Sequence, residues 1–303
     1  MAVKTVQAVI KGTTYNLTLN SSTGLYEASA TAPTETSYNN NAEHYFPITL
    51  KATDTAGNST TINDTSATFG DKLKLRVKET VAPVISISAP TESQYLTNNK
   101  PTITWSVTDS GSGVNPDTIG ITIDSGSKIT SGITKTAITN GYKCTYAIST
   151  ALKDGSHTIA VDAQDYDGNA ATQRTVNFVV DTVPPTLSIT SPANNLITNN
   201  SKVTVAGKTD DATSKPVTVT VKLNSGNAQT VTVASDGSFS TQLTLANGSN
   251  TITVVATDAA KKTTTITRMV TLDTSAPVIG DVTITPNPVS TGDIIKISVK
   301  VTD

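Results

Sequence analysis

The sequence is poor in the side chains that carry most enzyme chemistry. It has one cysteine, Cys144, and two histidines, His44 and His157, in 303 residues. A single cysteine excludes an internal disulfide framework and a cysteine-based zinc cage. Two histidines leave little material for general acid–base catalysis. We therefore expect a protein that is not an enzyme and that has no cofactor.

Charge and long apolar runs are also scarce. Charged residues make up 15% of the chain, the formal net charge is −2 and the isoelectric point is about 5.7. Such a surface cannot neutralise many phosphates, so we expect no nucleic-acid partner. No apolar stretch approaches the roughly 18 residues that a membrane helix needs, so we expect no membrane insertion.

Threonine, in contrast, is in large excess, at 58 of 303 residues. Because its branched Cβ favours strands over helices, this composition predicts an all-β protein. The N-terminus enters the apolar run Val6–Ile10 without the basic segment and apolar core of a secretory signal. We therefore expect a protein made in the cytoplasm that leaves the cell inside a larger assembly, or one whose export signal has been removed.

A domain-sized repeat organises the chain. An acidic residue, a threonine, two further residues and a proline recur at 79–83, 181–185 and 273–277. Thr80 and Thr182 lie 102 positions apart, and Thr182 and Thr274 lie 92 apart, which is typical of separate domains. Since proline cannot donate to a β-ladder, each string is predicted to be a short, stiff linker. The predicted modules are 1–79, 80–181 and 182–273, followed by a partial module at 274–303.

Each module carries a hairpin signal near its end. Ala52–Asn58 aligns with Ala163–Asn169, and Ala256–Lys262 aligns with both but has lost their Gly-Asn pair. Glycine and asparagine supply the positive φ that a tight strand connection requires. Alternating runs of about 5–8 residues, with turn signals between them and no helical period, predict a β-sandwich in each module.

The end of the sequence repeats the beginning of the second module. Positions 274–303 align without a gap to Thr80–Asp109, and both segments end in Val-Thr-Asp. They provide two strands of the roughly seven that a sandwich needs, so they cannot close a core by themselves. The segment is either a truncated or frayed piece of a further module, or a pair of strands that adds to the sheet edge of another chain.

Two motifs carry a family resemblance. Leu152–Asn169 resembles the "L-x-D-G-x-H-x-x-x-V-x-A-x-D-x-x-G-N" ending of bacterial immunoglobulin-like modules, and Ser235–Phe239 with Leu245–Asp258 resembles their other common form. The resemblance implies tandem immunoglobulin-like β-sandwiches in an elongated rod. It covers modules two and three well and module one loosely. The chain most resembles the tandem Ig-like virion proteins of tailed phages of Gram-positive bacteria.

One hairpin contains a candidate cation site. Asp162, Asp165, Asp167 and Asn169 place four oxygen-bearing side chains within eight residues, which suggests a structural Ca²⁺. The run lacks the twelve-residue loop that ends in a bidentate glutamate. Aspartate, glycine and asparagine are also the residues that a hairpin turn favours, so ordinary turn chemistry is the alternative.

Tyrosines mark a candidate glycan-binding face. The eight tyrosines all precede residue 167, which favours modules one and two. Sugar recognition rests aromatic rings on pyranose faces and adds hydrogen bonds, so Tyr38, Asn40 and Tyr45 are candidate glycan-binding residues. The alternative is that these tyrosines cap the sandwich core. For Trp105 the same two alternatives, core or sugar platform, remain open.

These expectations define one function and one rival. The first is a non-enzymatic virion protein, in the tail, baseplate or capsid decoration, that binds host cell-surface glycans weakly and multivalently. Its expected partners are other virion proteins, through strand addition by 274–303, and those glycans. The rival is a stalk fragment of a bacterial cell-surface adhesin or wall-associated enzyme, located at the bacterial surface.

Overall fold

The computed structural model describes residues 2–303 as an almost entirely β protein. It divides into two compact units, one ending at Val180 and the other beginning at Asp181. Within the described residues there are twenty-four strands and one short 3-10 helix. The prediction of an all-β fold with tandem immunoglobulin-like sandwiches is confirmed for the chain between residues 84 and 272, whereas residues 3–75, which were also expected to form a sandwich, form a single sheet. None of the helical segments in residues 2–303 is long and apolar enough to span a membrane.

The chain from Val3 to Leu75 forms a single sheet. Its strand order is β3-β2-β1-β4-β5, and β6 pairs with the start of β4. Few of its side chains are deeply buried, the large ones being Tyr45, Phe46 and Leu73. One sheet, rather than two facing sheets, follows from this shortage of large apolar residues to fill a sandwich. The elements are β1 Val3–Ile10, β2 Thr13–Asn20, β3 Leu25–Glu27, β4 Phe46–Asp54, β5 Ser59–Ile62, the 3-10 helix Gly70–Leu73 and β6 Lys74–Leu75.

The rest of the first unit is a two-sheet sandwich. One sheet has the order β11-β12-β9-β7 and the other has the order β10-β13-β14-β8, with β8 parallel to β14. Alternate residues of β9, namely Ile103, Trp105 and Val107, are fully buried between the sheets. The strands are β7 Val84–Ala89, β8 Gln94–Leu96, β9 Thr102–Thr108, β10 Val114–Ile123, β11 Thr134–Ile138, β12 Gly141–Ala147, β13 Gly155–Asp165 and β14 Arg174–Val180.

The second unit contains a similar sandwich and a separate strand pair. The sandwich sheets have the orders β15-β17-β20 and β16-β22-β21-β18-β19, and β16 is parallel to β22. The last two strands pair antiparallel with each other, and every residue from Asp273 onward is exposed. The strands are β15 Thr186–Ser191, β16 Leu196–Thr198, β17 Lys202–Asp210, β18 Thr218–Leu223, β19 Gln229–Val231, β20 Ser238–Thr244, β21 Gly248–Thr257, β22 Thr263–Leu272, β23 Val278–Thr285 and β24 Lys296–Thr302.

Candidate functional site

Each sandwich gathers three carboxylates at one end. The first acid precedes the first strand of the sandwich, the second follows the strand paired with it, and the third closes the strand before the last hairpin. In each set, carboxylate oxygens from all three residues lie within 4.8 Å of one another. The residues are Glu79, Asp109 and Asp165 in the first unit, and Asp181, Asp211 and Asp258 in the second.

In the first unit, protein donors satisfy this cluster. Glu79 Oε1 accepts the N–H of Ser112 at 2.8 Å, and Asp109 Oδ2 accepts a loop N–H at 2.6 Å. Both oxygens of Asp165 bind Asn169, one through its backbone N–H at 2.8 Å and the other through its Nδ2 at 2.7 Å. Asn169 Nδ2 also donates to the carbonyl of Glu79 at 3.1 Å. The turn and the linker are therefore bonded together by the asparagine.

In the second unit, the cluster is more deeply buried and less well satisfied. Asp181, Asp211 and Asp258 are 0%, 6% and 2% exposed. Ser214 donates through its hydroxyl to Asp181 Oδ2 and through its N–H to Asp211 Oδ1, the latter at 2.7 Å. Asp258 Oδ1 accepts the N–H of Lys262 at 2.8 Å, but the buried Asp258 Oδ2 has no hydrogen-bond partner. Burial raises the pKa of the Asp258 carboxyl, and the charges of Asp181 and Asp211 raise it further.

A single replacement in the repeat explains the difference. In the two equivalent hairpins of the first unit, an asparagine four positions after the aspartate donates its amide to Oδ2: Asn58 to Asp54 at 2.9 Å and Asn169 to Asp165 at 2.7 Å. The corresponding position after Asp258 is Lys262, which has no side-chain amide. Its backbone N–H keeps the turn bond, while the second carboxylate oxygen loses its donor.

The four residues predicted to bind Ca²⁺ do not converge. Strand β13 alternates, so Asp165 faces the interior while Asp162 faces outward and accepts Gln173 Nε2 at 3.0 Å. Asp167 Oδ2 accepts the hydroxyl of Thr36 at 2.6 Å, and Asn169 presents its amide nitrogen to Asp165. Among residues 2–303, Asp165 joins a three-acid cluster, but Asp162 and Asp167 belong to neither cluster.

The two tyrosines predicted to bind glycans are packed against other residues of the first unit, and the exposed Asn40 uses its amide within the same segment. The Tyr38 ring is stacked on His44 with centroids 3.9 Å apart and on Tyr166 with centroids 4.4 Å apart. Two rings at these distances must occupy opposite faces, so both faces of Tyr38 are covered. Tyr45 is 8% exposed and donates its hydroxyl to Asp64, while Asn40 donates its amide to the Tyr45 carbonyl at 2.7 Å.

The remaining singled-out side chains have structural surroundings. Trp105 is completely buried in the core of the first sandwich, which confirms the core interpretation. His157 uses both ring nitrogens, with Nδ1 2.7 Å from Asp124 Oδ2 and Nε2 2.7 Å from the Lys153 carbonyl. Cys144 is buried beside Trp105, and desolvation raises the pKa of its thiol to about 11. No nucleophile and base are brought together by these three residues.

A cleft in the first unit was not predicted from the sequence; it is lined by the sandwich and by Asn39 from the loop between β3 and β4. It has a volume of about 370 Å³, and its walls include Tyr142, Tyr166, Asn39 and Asn140. Tyr166 is 39% exposed and lies over Tyr38 on one face. The tyrosine distribution pointed to this part of the chain, but the pairing of residues from separate modules required the folded structure.

Comparisons with known proteins agree with the architecture. Residues 79–182 match the family model of a bacterial Ig-like domain, and residues 185–274 match that of glucodextranase domain B. The chain is 30% identical over 198 residues to bacillopeptidase F of Bacillus subtilis (strain 168), which covers 65% of this chain and 12% of that protein. The chain thus corresponds to a small part of that curated relative.

Solved structures with similar modules come from several proteins. The fibronectin(III)-like modules of Clostridium thermocellum CbhA align with 18% identity and a TM-score of 0.36, covering 62% of this chain and 94% of that one. Immunoglobulin domains 1–5 of Sidekick-1 align with 11% identity and a TM-score of 0.41, covering 99% of this chain and 60% of that one. The strand pairing described above and the matched bacterial Ig-like model define a protein of tandem immunoglobulin-like modules. Tandem modules of this kind suggest a structural or adhesion-type role.

Proposed function

We propose that the chain is a non-enzymatic phage virion component, in the tail, baseplate or capsid decoration, that displays its modules for weak, multivalent binding to host-surface glycans. The observation that carries the binding part is the tyrosine- and asparagine-lined cleft in the first unit. Tyr142 and Tyr166 provide aromatic surface, and Asn39 and Asn140 provide amide groups. This is the combination that sugar recognition uses.

The contacts beside this cleft support a fixed binding surface. Asp167 accepts the Thr36 hydroxyl at 2.6 Å and the Glu79 N–H at 3.0 Å. The side chain of Asn39 donates to the Gly111 carbonyl at 2.9 Å. These bonds join the loop between β3 and β4, and the linker, to the last hairpin and the loop after β9 of the neighbouring sandwich. A surface held in this way loses little conformational freedom when a ligand binds. A ligand that makes only a few contacts can therefore still bind to it.

Two further parts of the proposal rest on side-chain environments. A non-enzymatic role is supported by the commitment of both His157 nitrogens and by the buried Cys144, whose raised thiol pKa of about 11 disfavours a nucleophilic thiolate. Strand addition to another virion protein is supported by β23 and β24, whose residues are all exposed. Exposed strand edges are templates for pairing with a second chain.

The glycan-binding part of the proposal is tested with cell-wall polysaccharide from the bacterial strain that produces the protein. Tyr142→Ala in the full chain should lower binding, measured by biolayer interferometry on immobilised polysaccharide, by at least about tenfold. Tyr26→Ala, which changes a tyrosine on β3 of the first sheet, is the matched control and should bind like the parent chain. Equal binding by the parent and Tyr142→Ala would rule out this cleft as the glycan site.

The virion part is tested by immunogold electron microscopy on lysate from an induced producer strain. Gold on phage particles, detected with an antibody to residues 182–273, is the expected result. The second candidate function is a stalk segment of a bacterial adhesin or wall-associated enzyme, which the similarity to part of bacillopeptidase F favours. Gold on cell walls with bare particles would exclude the virion role and favour this second candidate.

A further inference from the structure

The second unit contains a buried negative charge without a counterion. Asp181, Asp211 and Asp258 together carry up to three negative charges at sites that are 0%, 6% and 2% exposed. In residues 2–303, none of the ion pairs involves these three carboxylates. Buried carboxylates are normally paired, protonated or bound to a metal. Because Asp258 Oδ2 accepts no hydrogen bond, this cluster, unlike that of the first unit, is left to be completed by a bound cation or a shared proton.

The geometry fits a bound cation. Oxygen atoms from all three carboxylates lie within 4.8 Å of one another, which is the largest separation that two ligands of one Ca²⁺ can have at about 2.4 Å each. Asp258 Oδ2 is buried in this cluster and has no hydrogen-bond partner. This oxygen is therefore available as a ligand for a metal ion.

The surrounding bonds hold the ligands in place. Asp211 Oδ1 accepts the N–H of Thr213 at 2.8 Å and that of Ser214 at 2.7 Å, and Asp258 Oδ1 accepts the N–H of Lys262. Each of these bonds fixes a carboxylate through one oxygen. In metal sites of proteins, the coordinating carboxylates are typically oriented by hydrogen bonds from neighbouring groups. The side-chain oxygen of Ser214, which is fully buried, adds a further hard donor atom next to Asp181.

We infer that Asp181, Asp211 and Asp258 form a Ca²⁺ site at the end of the second sandwich where the linker string meets the last hairpin. Three carboxylates supply hard oxygen ligands of the kind that Ca²⁺ prefers. The equivalent cluster of the first unit is the internal comparison, since there Asn169 donates to the oxygen that corresponds to Asp258 Oδ2. The replacement of that asparagine by Lys262 opens the coordination position in the second unit alone.

The site has a structural consequence for the second unit. The ion would connect the chain just before β15, the loop after β17 and the hairpin between β21 and β22. These three segments belong to both sheets of the sandwich. Because the ion binds only the folded arrangement, it stabilises that arrangement by mass action. Calcium should therefore protect these loops from opening.

The test is hydrogen exchange of the full chain in EDTA and in about 5 mM Ca²⁺, a concentration above the dissociation constants of extracellular calcium modules. The amides of Thr213, Ser214 and Lys262 donate to the cluster, so their exchange should slow by about tenfold or more with Ca²⁺. The thermal midpoint of the second unit should rise in parallel. Unchanged exchange and an unchanged midpoint would overturn the inference.

Two variants localise the effect. Asp258→Asn keeps the shape of the side chain and removes one buried charge, so it should fold in EDTA at least as well as the parent chain and should lose the response to Ca²⁺. Asp236→Asn changes an exposed aspartate on the turn before β20 and should keep the full response. A Ca²⁺ response retained in Asp258→Asn would place the ion elsewhere and overturn the assignment.

Discussion

Replacing Trp105 probes how much the first sandwich depends on one side chain. The indole is completely buried, it lies beside Cys144 and Ile87 on the neighbouring strands, and its Nε1 has no hydrogen-bond partner. Truncation of a buried aromatic residue to alanine costs about 3–5 kcal/mol. The parent already bears about 1–3 kcal/mol for the unsatisfied N–H, which the truncation removes. We therefore expect Trp105→Ala to lose about 3 kcal/mol, at the lower end of the range.

Native-state hydrogen exchange measures this loss for one sandwich at a time. Core amides of β9 and β13 should exchange roughly a hundredfold faster in Trp105→Ala, because each 1.4 kcal/mol corresponds to a factor of about ten. Amides of β21 in the second unit are the internal control. Trp105→Phe removes the unsatisfied N–H but keeps an aromatic ring, so it should cost less than about 1 kcal/mol. Exchange that is unchanged in Trp105→Ala, or equally fast in both variants, would refute the reasoning.

Three further predictions follow from single sites. Because burial raises the thiol pKa of Cys144 to about 11, the folded chain should not react with a disulfide reagent at pH 8 and should react fully in guanidinium chloride. Gly207→Ala should cost about 3 kcal/mol in calorimetry, since its Cβ would lie 2.1 Å from a carbonyl oxygen of β15, whereas Gly248→Ala meets no atom within 4 Å and should cost about 1 kcal/mol for its positive φ. Tyr38→Ala removes two ring stacks, so trypsin should cleave after Lys78 several times faster, while Tyr38→Phe should resist like the parent.

Periodicity predicted most of the strands because local spacing determines them. In β9 the alternation of Ile103, Trp105 and Val107 puts the apolar side chains on the buried face. The hairpin predicted at Ala52–Asn58 is the observed β4–β5 connection. The single sheet formed by β1 to β6 was not predictable in the same way. Alternation predicts that a segment is a strand, but it does not show whether the strands form one sheet or two facing sheets. In this region few large apolar side chains are buried, and one sheet forms.

The candidate site was less predictable than the strands, because the residues that form it are distant in the sequence. The prediction for Ca²⁺ grouped acids within eight residues, and among these the alternation of β13 turns Asp162 and Asp165 to opposite faces. The residues that do meet Asp165 are Glu79 and Asp109, which precede it by 86 and 56 positions. A sequence signal for this existed in the acidic residue that begins each linker string. That this acid contacts the last hairpin could be inferred only from the folded structure, in which the linker lies beside that hairpin.

The linker acid therefore has a second role besides marking a boundary. In the first unit Glu79 accepts the Ser112 N–H, and its carbonyl is held by Asn169, so protein groups alone bond the linker to the sandwich. In the second unit Asp181 occupies the equivalent place in a cluster with one oxygen unsatisfied. The same repeat has thus produced one junction completed by an asparagine and another left to be completed by an ion. If both were completed by protein groups, Ca²⁺ would affect neither unit, so hydrogen exchange of the two units with and without Ca²⁺ measures this contrast.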